Sequence, residues 1–328
     1  MTVVITGGAG FLGQRLARAL VARGVLSGAD HRPQSIDRIV LLDVTPAPDL
    51  GDSRVVTVEG DISNPALQRQ VLDERPASIF HLAAIVSGMA EADFELGMRI
   101  NVHAFRQLLD TCRRLGHKPR LVFTSSVAVY GGVLPDTVLE ATAPTPQTSY
   151  GTQKAIGELL LNDYSRRGFV DGRALRLPTI TVRSGRPNAA ASSFASGIIR
   201  EPLNGETARC PVTGDARLWL MSPDTVVDCL IAAHDLPDAS LGTNRTLNLP
   251  GISVTVREMV DSLTRVAGEE VAKRIHWDQD PQIMRMVAGW PGACDAARAT
   301  ALGFPTDRDF DAIVQQYIDK DLIARSIA

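Results

Sequence analysis

Residues Thr2-Val3-Val4-Ile5-Thr6-Gly7-Gly8-Ala9-Gly10-Phe11-Leu12-Gly13 carry the first structural signal in this chain. Thr2–Ile5 is an unbroken β-branched run, the pattern of a strand buried on both faces of a parallel sheet. Glycines follow at positions 7, 10 and 13, and Phe11–Arg23 then carries apolar residues at helical spacing. Each glycine has a physical task. Gly7 permits a tight turn, Gly10 lets a pyrophosphate approach the backbone, and Gly13 lets the helix pack close to the strand. The pyrophosphate would meet the first amides of the helix, at Phe11 and Leu12, where the helix dipole is positive. The spacing is G-x-x-G-x-x-G, and its place between a strand and a helix makes it a dinucleotide-binding turn.

Working outward, short apolar runs at 38–42, 55–58, 78–81, 121–124 and 174–177 alternate with helical patterns at 65–74, 94–115 and 150–166. Strict alternation predicts an α/β fold: a doubly wound parallel sheet of the Rossmann type. After Pro178 the pattern loosens. We expect a dinucleotide-binding domain over 1–182, to which 218–250 returns through a helix at 226–233 and a strand at 246–249. A smaller C-terminal substrate-binding lobe would comprise 183–217 and 251–328.

The second strand ends in Asp43, which can accept hydrogen bonds from adenosine ribose hydroxyls. No arginine follows it, so NAD is expected rather than NADP. Asp43 lies 30 residues past Gly13, further than the roughly 20 usual for this motif. A polar loop inserted at about 25–37 accounts for the excess. Asp61 and Ile62 follow the third strand and are candidates for the adenine. Leu82, Ala83 and Ala84 follow the fourth, where small side chains leave room beneath a cofactor.

The composition is that of a soluble globular protein, with 45% hydrophobic and 22% charged residues. A net charge of −3 gives no electrostatic support for nucleic-acid binding. No apolar stretch approaches a membrane span, and no signal peptide is readable. Cys112, Cys210, Cys229 and Cys294 are far apart and suggest reduced thiols, with neither a disulfide framework nor a metal site. A cytoplasmic protein is expected.

Tyr150 and Lys154 stand four apart, on one face of a helix that begins soon after the fifth strand. Ligands of such sheets bind at the C-terminal ends of the strands. Hydride transfer from an alcohol needs a base for the hydroxyl proton. A free tyrosine titrates near 10, and a neighbouring ammonium together with an oxidised nicotinamide should lower it. Lys154 would supply that ammonium and hold the ribose. Ser126 would hydrogen-bond the reacting oxygen, and Asn101 would position Lys154 directly or through a water.

Together these segments, with Val129-Tyr130-Gly131 and Arg176-Leu177-Pro178, resemble the extended short-chain dehydrogenase/reductase family of NAD-dependent epimerases and dehydratases. The resemblance implies NAD, a Tyr150 base, a Lys154 partner and Ser126 on the substrate oxygen. It also implies contacts of Ser125 with substrate or nicotinamide and of Pro178 with the nicotinamide amide, and a homodimer formed through helices near 94–115 and 150–166. Thr124-Ser125-Ser126 lacks the Asp-Glu pair of the dehydratase subset. Segments 83–94 and 183–194 resemble the sugar-acid dehydrogenases of the family, which implies oxidation of the C2 alcohol of a four-carbon sugar acid. A small-molecule carboxylate calls for arginine, and Arg183, Arg186 and Arg217 are the candidates. Ser87 and Glu91 are candidates for the substrate hydroxyls. A nucleotide-sugar epimerase and a module that senses the redox state of NAD without chemistry remain as alternatives.

Overall fold

The computed structural model describes residues 1–185 and 192–322. Seven parallel strands form the central sheet: β1 (Thr2–Thr6), β2 (Arg38–Asp43), β3 (Val55–Glu59), β4 (Ser78–His81), β5 (Arg120–Ser126), β6 (Asp171–Leu177) and β7 (Thr246–Asn248). Their order is β7-β6-β5-β4-β1-β2-β3. The order reverses between β1 and β4, and in a sheet of this type the crevice at that reversal receives ligands.

Alternate residues of each strand serve opposite faces. Val3, Ile5, Ile39 and Leu41 pack with Leu16 and Leu20 of helix α1 (Phe11–Arg23) and with Leu230 of the helix Pro223–Asp235. Val4, Val40 and Leu121 pack on the other face with Phe105 and Leu109 of α2 (Phe105–Leu115) and Leu161 of α3 (Ser149–Arg166). Each such residue contributes about 1.5–3 kcal/mol by burial. A further apolar cluster lies outside the sheet. It joins Ile198 and Ile199 to Leu220, Met259, Leu263, Val287 and Phe310.

Two local expectations need correction. The insertion at 25–37 is not simply a polar loop, because Val25–Ser27 pairs antiparallel with Pro33–Ser35. Leu26 and Ile36 provide enough apolar surface to seat this hairpin on the core. The helix expected over 94–115 is broken. Phe94–Gly97 is α-helical, Met98–Ala104 is a π-helical turn, and only Phe105–Leu115 resumes the α-helix. Such turns re-aim side chains, and this one carries Asn101.

Candidate active site

A cleft of about 1010 Å³ runs along the C-terminal ends of the strands. Gly7, Gly10, Phe11, Leu12, Gly13, Asp43, Asp61 and Ile62 lie along it, as do Leu82, Ala83, Ala84 and Pro178. Ser87, Glu91, Ser125, Ser126, Tyr150, Lys154 and Arg183 line it too.

The glycine turn is built to close tolerances. Gly7 has φ +73°, a left-handed conformation that L side chains rarely adopt. A Cβ on Gly13 would stand 2.2 Å from the Gly7 carbonyl oxygen, so α1 packs directly on the turn. Gly8, which the motif spacing does not single out, is equally constrained: its Cβ would stand 2.7 Å from that of Leu41. No side chain caps the N-terminus of α1, which leaves its first amides to an anion. Asp43 Oδ2 accepts from the Ala9 amide at 3.0 Å, tying the end of β2 to the turn. Asp61 is committed to Ser63 and to Arg99, whose guanidinium is 2.6 Å away. That contact and its hydrogen bonds hold its carboxyl below the usual range even though burial opposes this.

Tyr150, Lys154 and Ser126 come together for reasons in the backbone. Thr148 caps α3 by accepting from the Gly151 amide. Gly151 then allows closest approach: a Cβ there would be 2.1 Å from the Ala128 carbonyl oxygen, in the turn that follows β5. Gly157, two turns on, lies so close to Phe123 that a Cβ would meet its ring at 2.7 Å. These contacts bring the Tyr150 phenol to the side of the Ser126 hydroxyl. Lys154 is buried, donates to the Thr124 carbonyl at 2.7 Å and lies 4.8 Å from the centre of the Phe123 ring.

The electrostatics differ from the sequence expectation. Burial pushes the Tyr150 phenol up to about 12, although the Ser126 hydrogen bond opposes the rise. Burial also lowers Lys154 to about 7, against the attraction of Glu158. In the protein alone, desolvation therefore outweighs the stabilisation of phenolate by an ammonium.

Four further candidates have other partners among the described residues. Asn101 does not bond Lys154 among the described hydrogen bonds. Its Oδ1 accepts from the Ile85 amide at 2.8 Å, while Nδ2 donates to the Ile85 carbonyl at 3.0 Å and to Gln153 Oε1 at 2.6 Å. It thus ties the segment after β4 to α3 beside Lys154. Ser125 turns its hydroxyl away to Glu158, 2.5 Å distant. Glu91 accepts from the Ser149 amide at 2.9 Å, so its carboxylate serves the N-terminus of α3. Arg217 is not among the residues lining the cleft; it lies beside a separate cavity, near Ser253 and Glu258, at the start of Arg217–Met221, the middle strand of a three-stranded sheet. Arg186 lies outside the described residues. Arg183 remains on the cleft wall, where burial and then Arg200 lower it from the ordinary arginine value. Sequence reasoning missed Glu158, Arg285 and Trp290, the last two of which line the cleft from the C-terminal part. Glu158 continues the spacing of Tyr150 and Lys154 by one more turn, a signal present in the sequence. Arg285 and Trp290 stand at no motif.

Comparison with known proteins gives this geometry its class. The model of the NAD dependent epimerase/dehydratase family matches residues 3–249. D-erythronate dehydrogenase of Cupriavidus necator is 57% identical over 99% of this chain and 100% of its own length. The protein of the same name from Haemophilus influenzae is 49% identical over 98% and 100%. A solved structure from Agrobacterium tumefaciens, described as a nucleoside-diphosphate-sugar epimerase, superposes with a TM-score of 0.93 at 44% identity, covering 98% of this chain and 94% of that one. The chain belongs to the NAD dependent epimerase/dehydratase family and is an NAD-dependent dehydrogenase within it. The fused glycine turn and the uncapped start of α1 fit that cofactor. Among the described residues, no helix is long and apolar enough to cross a membrane.

Proposed function

We propose that the protein oxidises D-erythronate at C2 to 2-oxo-tetronate (2-dehydro-D-erythronate), with Tyr150 as the base. The observation that carries this reading is the shared cleft. Tyr150, Ser126 and Lys154 stand on one wall of the same cavity that the glycine turn and Asp43 border, in a chain 57% identical to a D-erythronate dehydrogenase over its full length.

In this reading the α1 amides hold the pyrophosphate, Asp43 the adenosine ribose, and Asp61 and Ile62 the adenine end. Leu82, Ala83, Ala84 and Pro178 flank the nicotinamide half. When bound, NAD takes up the hydride released from C2. Ser126 hydrogen-bonds the C2 hydroxyl, and Tyr150 removes its proton as the carbonyl forms. Lys154 would hold the ribose hydroxyls of the cofactor, and as an ammonium it favours phenolate. Asn101 acts by holding the cleft floor against α3. Arg183, with the Arg200 cation beside it, favours the substrate carboxylate, and Ser87 is in place for a distal hydroxyl.

The segments 183–217 and 251–328 form the substrate lobe in this account. The enzyme is a cytoplasmic homodimer, consistent with the 73% exposure of Leu159 on α3 and the 56% exposure of Phe94. Mixing the enzyme with NAD and a panel of four-carbon aldonates tests the reaction. NADH absorbance should rise with D-erythronate, and silence across the panel would contradict the assignment.

The description of the Agrobacterium relative favours one alternative, epimerisation of a nucleotide sugar. Such an enzyme would be stabilised against heat by UDP-sugars and release no NADH. We expect stabilisation by aldonates instead.

A further inference from the structure

Behind Tyr150 and Lys154 the next turn of α3 places a carboxylate. Glu158 is 4% exposed, and Lys154, Ser125 and Arg176 are 3%, 2% and 5% exposed. Two successive turns of α3 are bonded to two successive residues of β5. Lys154 donates to the Thr124 carbonyl at 2.7 Å, and Glu158 Oε1 accepts from Ser125 Oγ at 2.5 Å. Arg176, the register partner of Ser125 on β6, closes on the same carboxylate from the other side. Its Nε donates to Oε1 at 2.9 Å and its Nη2 to Oε2 at 2.7 Å. The remaining Nη1 donates to the Tyr130 hydroxyl and, at 3.3 Å, to the Glu140 carbonyl. The Tyr130 hydroxyl in turn donates to Asn248 Oδ1 at 2.9 Å.

A bidentate arginine and a hydroxyl donor thus satisfy both oxygens of the buried carboxylate. The groups packed around Lys154 leave it little other support. β4 contributes His81, which burial and then Lys154 itself hold neutral, down to about 3. β5 contributes the Phe123 ring and the Thr124 carbonyl, and β6 contributes Arg176, which is paired with Glu158. On α3 itself stand Tyr150, whose ring centre is 5.6 Å away, and Glu158.

We propose that Glu158, fixed by Arg176 and Ser125, is a positioning residue that keeps Lys154 in the ammonium form and so lets Tyr150 act as a base. Arg176 is the clamp that makes this possible: it satisfies both oxygens of the carboxylate while reaching outward to Tyr130 and Glu140. The inference rests on the catalytic reading above only for the role of the ammonium. The protonation of Lys154 is a property of the folded chain.

The chain has four lysines, Lys118, Lys154, Lys273 and Lys320, and the other three are exposed. Carbon-13 labelling of the lysine ε-carbons therefore isolates the Lys154 titration by NMR in the full-length enzyme. In Glu158→Gln its midpoint should fall by about one pH unit or more, because burial then acts without the carboxylate. The alkaline limb of kcat/KM should move down by the same amount, so that activity lost at neutral pH partly returns on acidification. Glu158→Asp should restore most of both. If Glu158→Gln leaves Arg176 too poorly paired to fold, the double variant Glu158→Gln/Arg176→Met removes both buried charges and should show a smaller fall in the same direction, because a cation goes with the carboxylate. A Lys154 midpoint equal to wild type in whichever variant folds would overturn the proposal. So would a loss of activity equal at every pH, the mark of a purely structural role. If the chain proves inactive on aldonates, the NMR titration still decides the inference independently.

Discussion

The residues of this cleft that we assign to the cofactor wall and those that we assign to the substrate wall are made of different material. The cofactor wall is backbone. It consists of a glycine turn in which a single Cβ at position 13 would fall 2.2 Å from a carbonyl oxygen, helix amides without a side-chain cap, and one carboxylate at a strand end. The other wall is side chains: Arg183, Leu218 and Trp219, with Arg285, Met286 and Trp290 from the helix Pro281–Ala288 and the turn after it. A wall made of backbone can hold only what fits its amides. A wall made of side chains can be refitted by substitution without disturbing the sheet. This is the physical reason one scaffold serves dehydrogenases and epimerases alike.

That contrast can be broken or sharpened by substitution. The largest effect belongs to the proposed base. Tyr150→Phe should lower kcat for D-erythronate by about 10²–10⁴-fold, the usual worth of a positioned acid–base group, and should leave NAD binding measurable by titration calorimetry. Next comes the cofactor wall. Asp43→Ala removes a charged acceptor worth about 1.5–3 kcal/mol. Steady-state kinetics should show the KM for NAD rising by about 10–100-fold and discrimination against NADP relaxing, while the KM for the aldonate stays nearly constant. The substrate wall should respond the other way. Arg183→Ala should raise the KM for the aldonate by about tenfold or more with little change in that for NAD. The smallest effect tests the correction made above. Arg217→Ala, outside the cleft, should leave both constants within about twofold, because exposed ion pairs contribute little.

The same contrast explains what was legible in the sequence. The turn at Gly7–Gly13 could be read because only glycine satisfies its backbone, so the chemistry is written in spacing. The continuous apolar runs gave the parallel sheet because strands covered on both faces have no polar side. The Tyr150–Lys154 pair was legible once its place after β5 was known. Four things were not. The π-helical turn at 98–104 leaves the apolar periodicity of a plain helix, so the orientation of Asn101, toward Ile85 and Gln153, could not be read. The commitments of Ser125 and Glu91 depend on residues far away in the chain, Glu158 and Ser149. The direction in which Tyr150 titrates depends on burial, which spacing does not encode. Arg285 and Trp290 have no partner motif, and only the packing of the C-terminal helices brings them to the cleft.

The central claim is that this cleft moves hydrogen from C2 of a sugar acid. D-erythronate carrying deuterium at C2, incubated with enzyme and NAD, tests it most directly through the mass of the NADH produced. The account predicts that deuterium appears in the reduced nicotinamide, that kcat/KM for the labelled substrate is lowered, and that Tyr150→Phe slows the transfer by about 10²–10⁴-fold. NADH formed without deuterium, from a substrate that keeps its C2 label, would place the oxidation at another carbon and contradict the account.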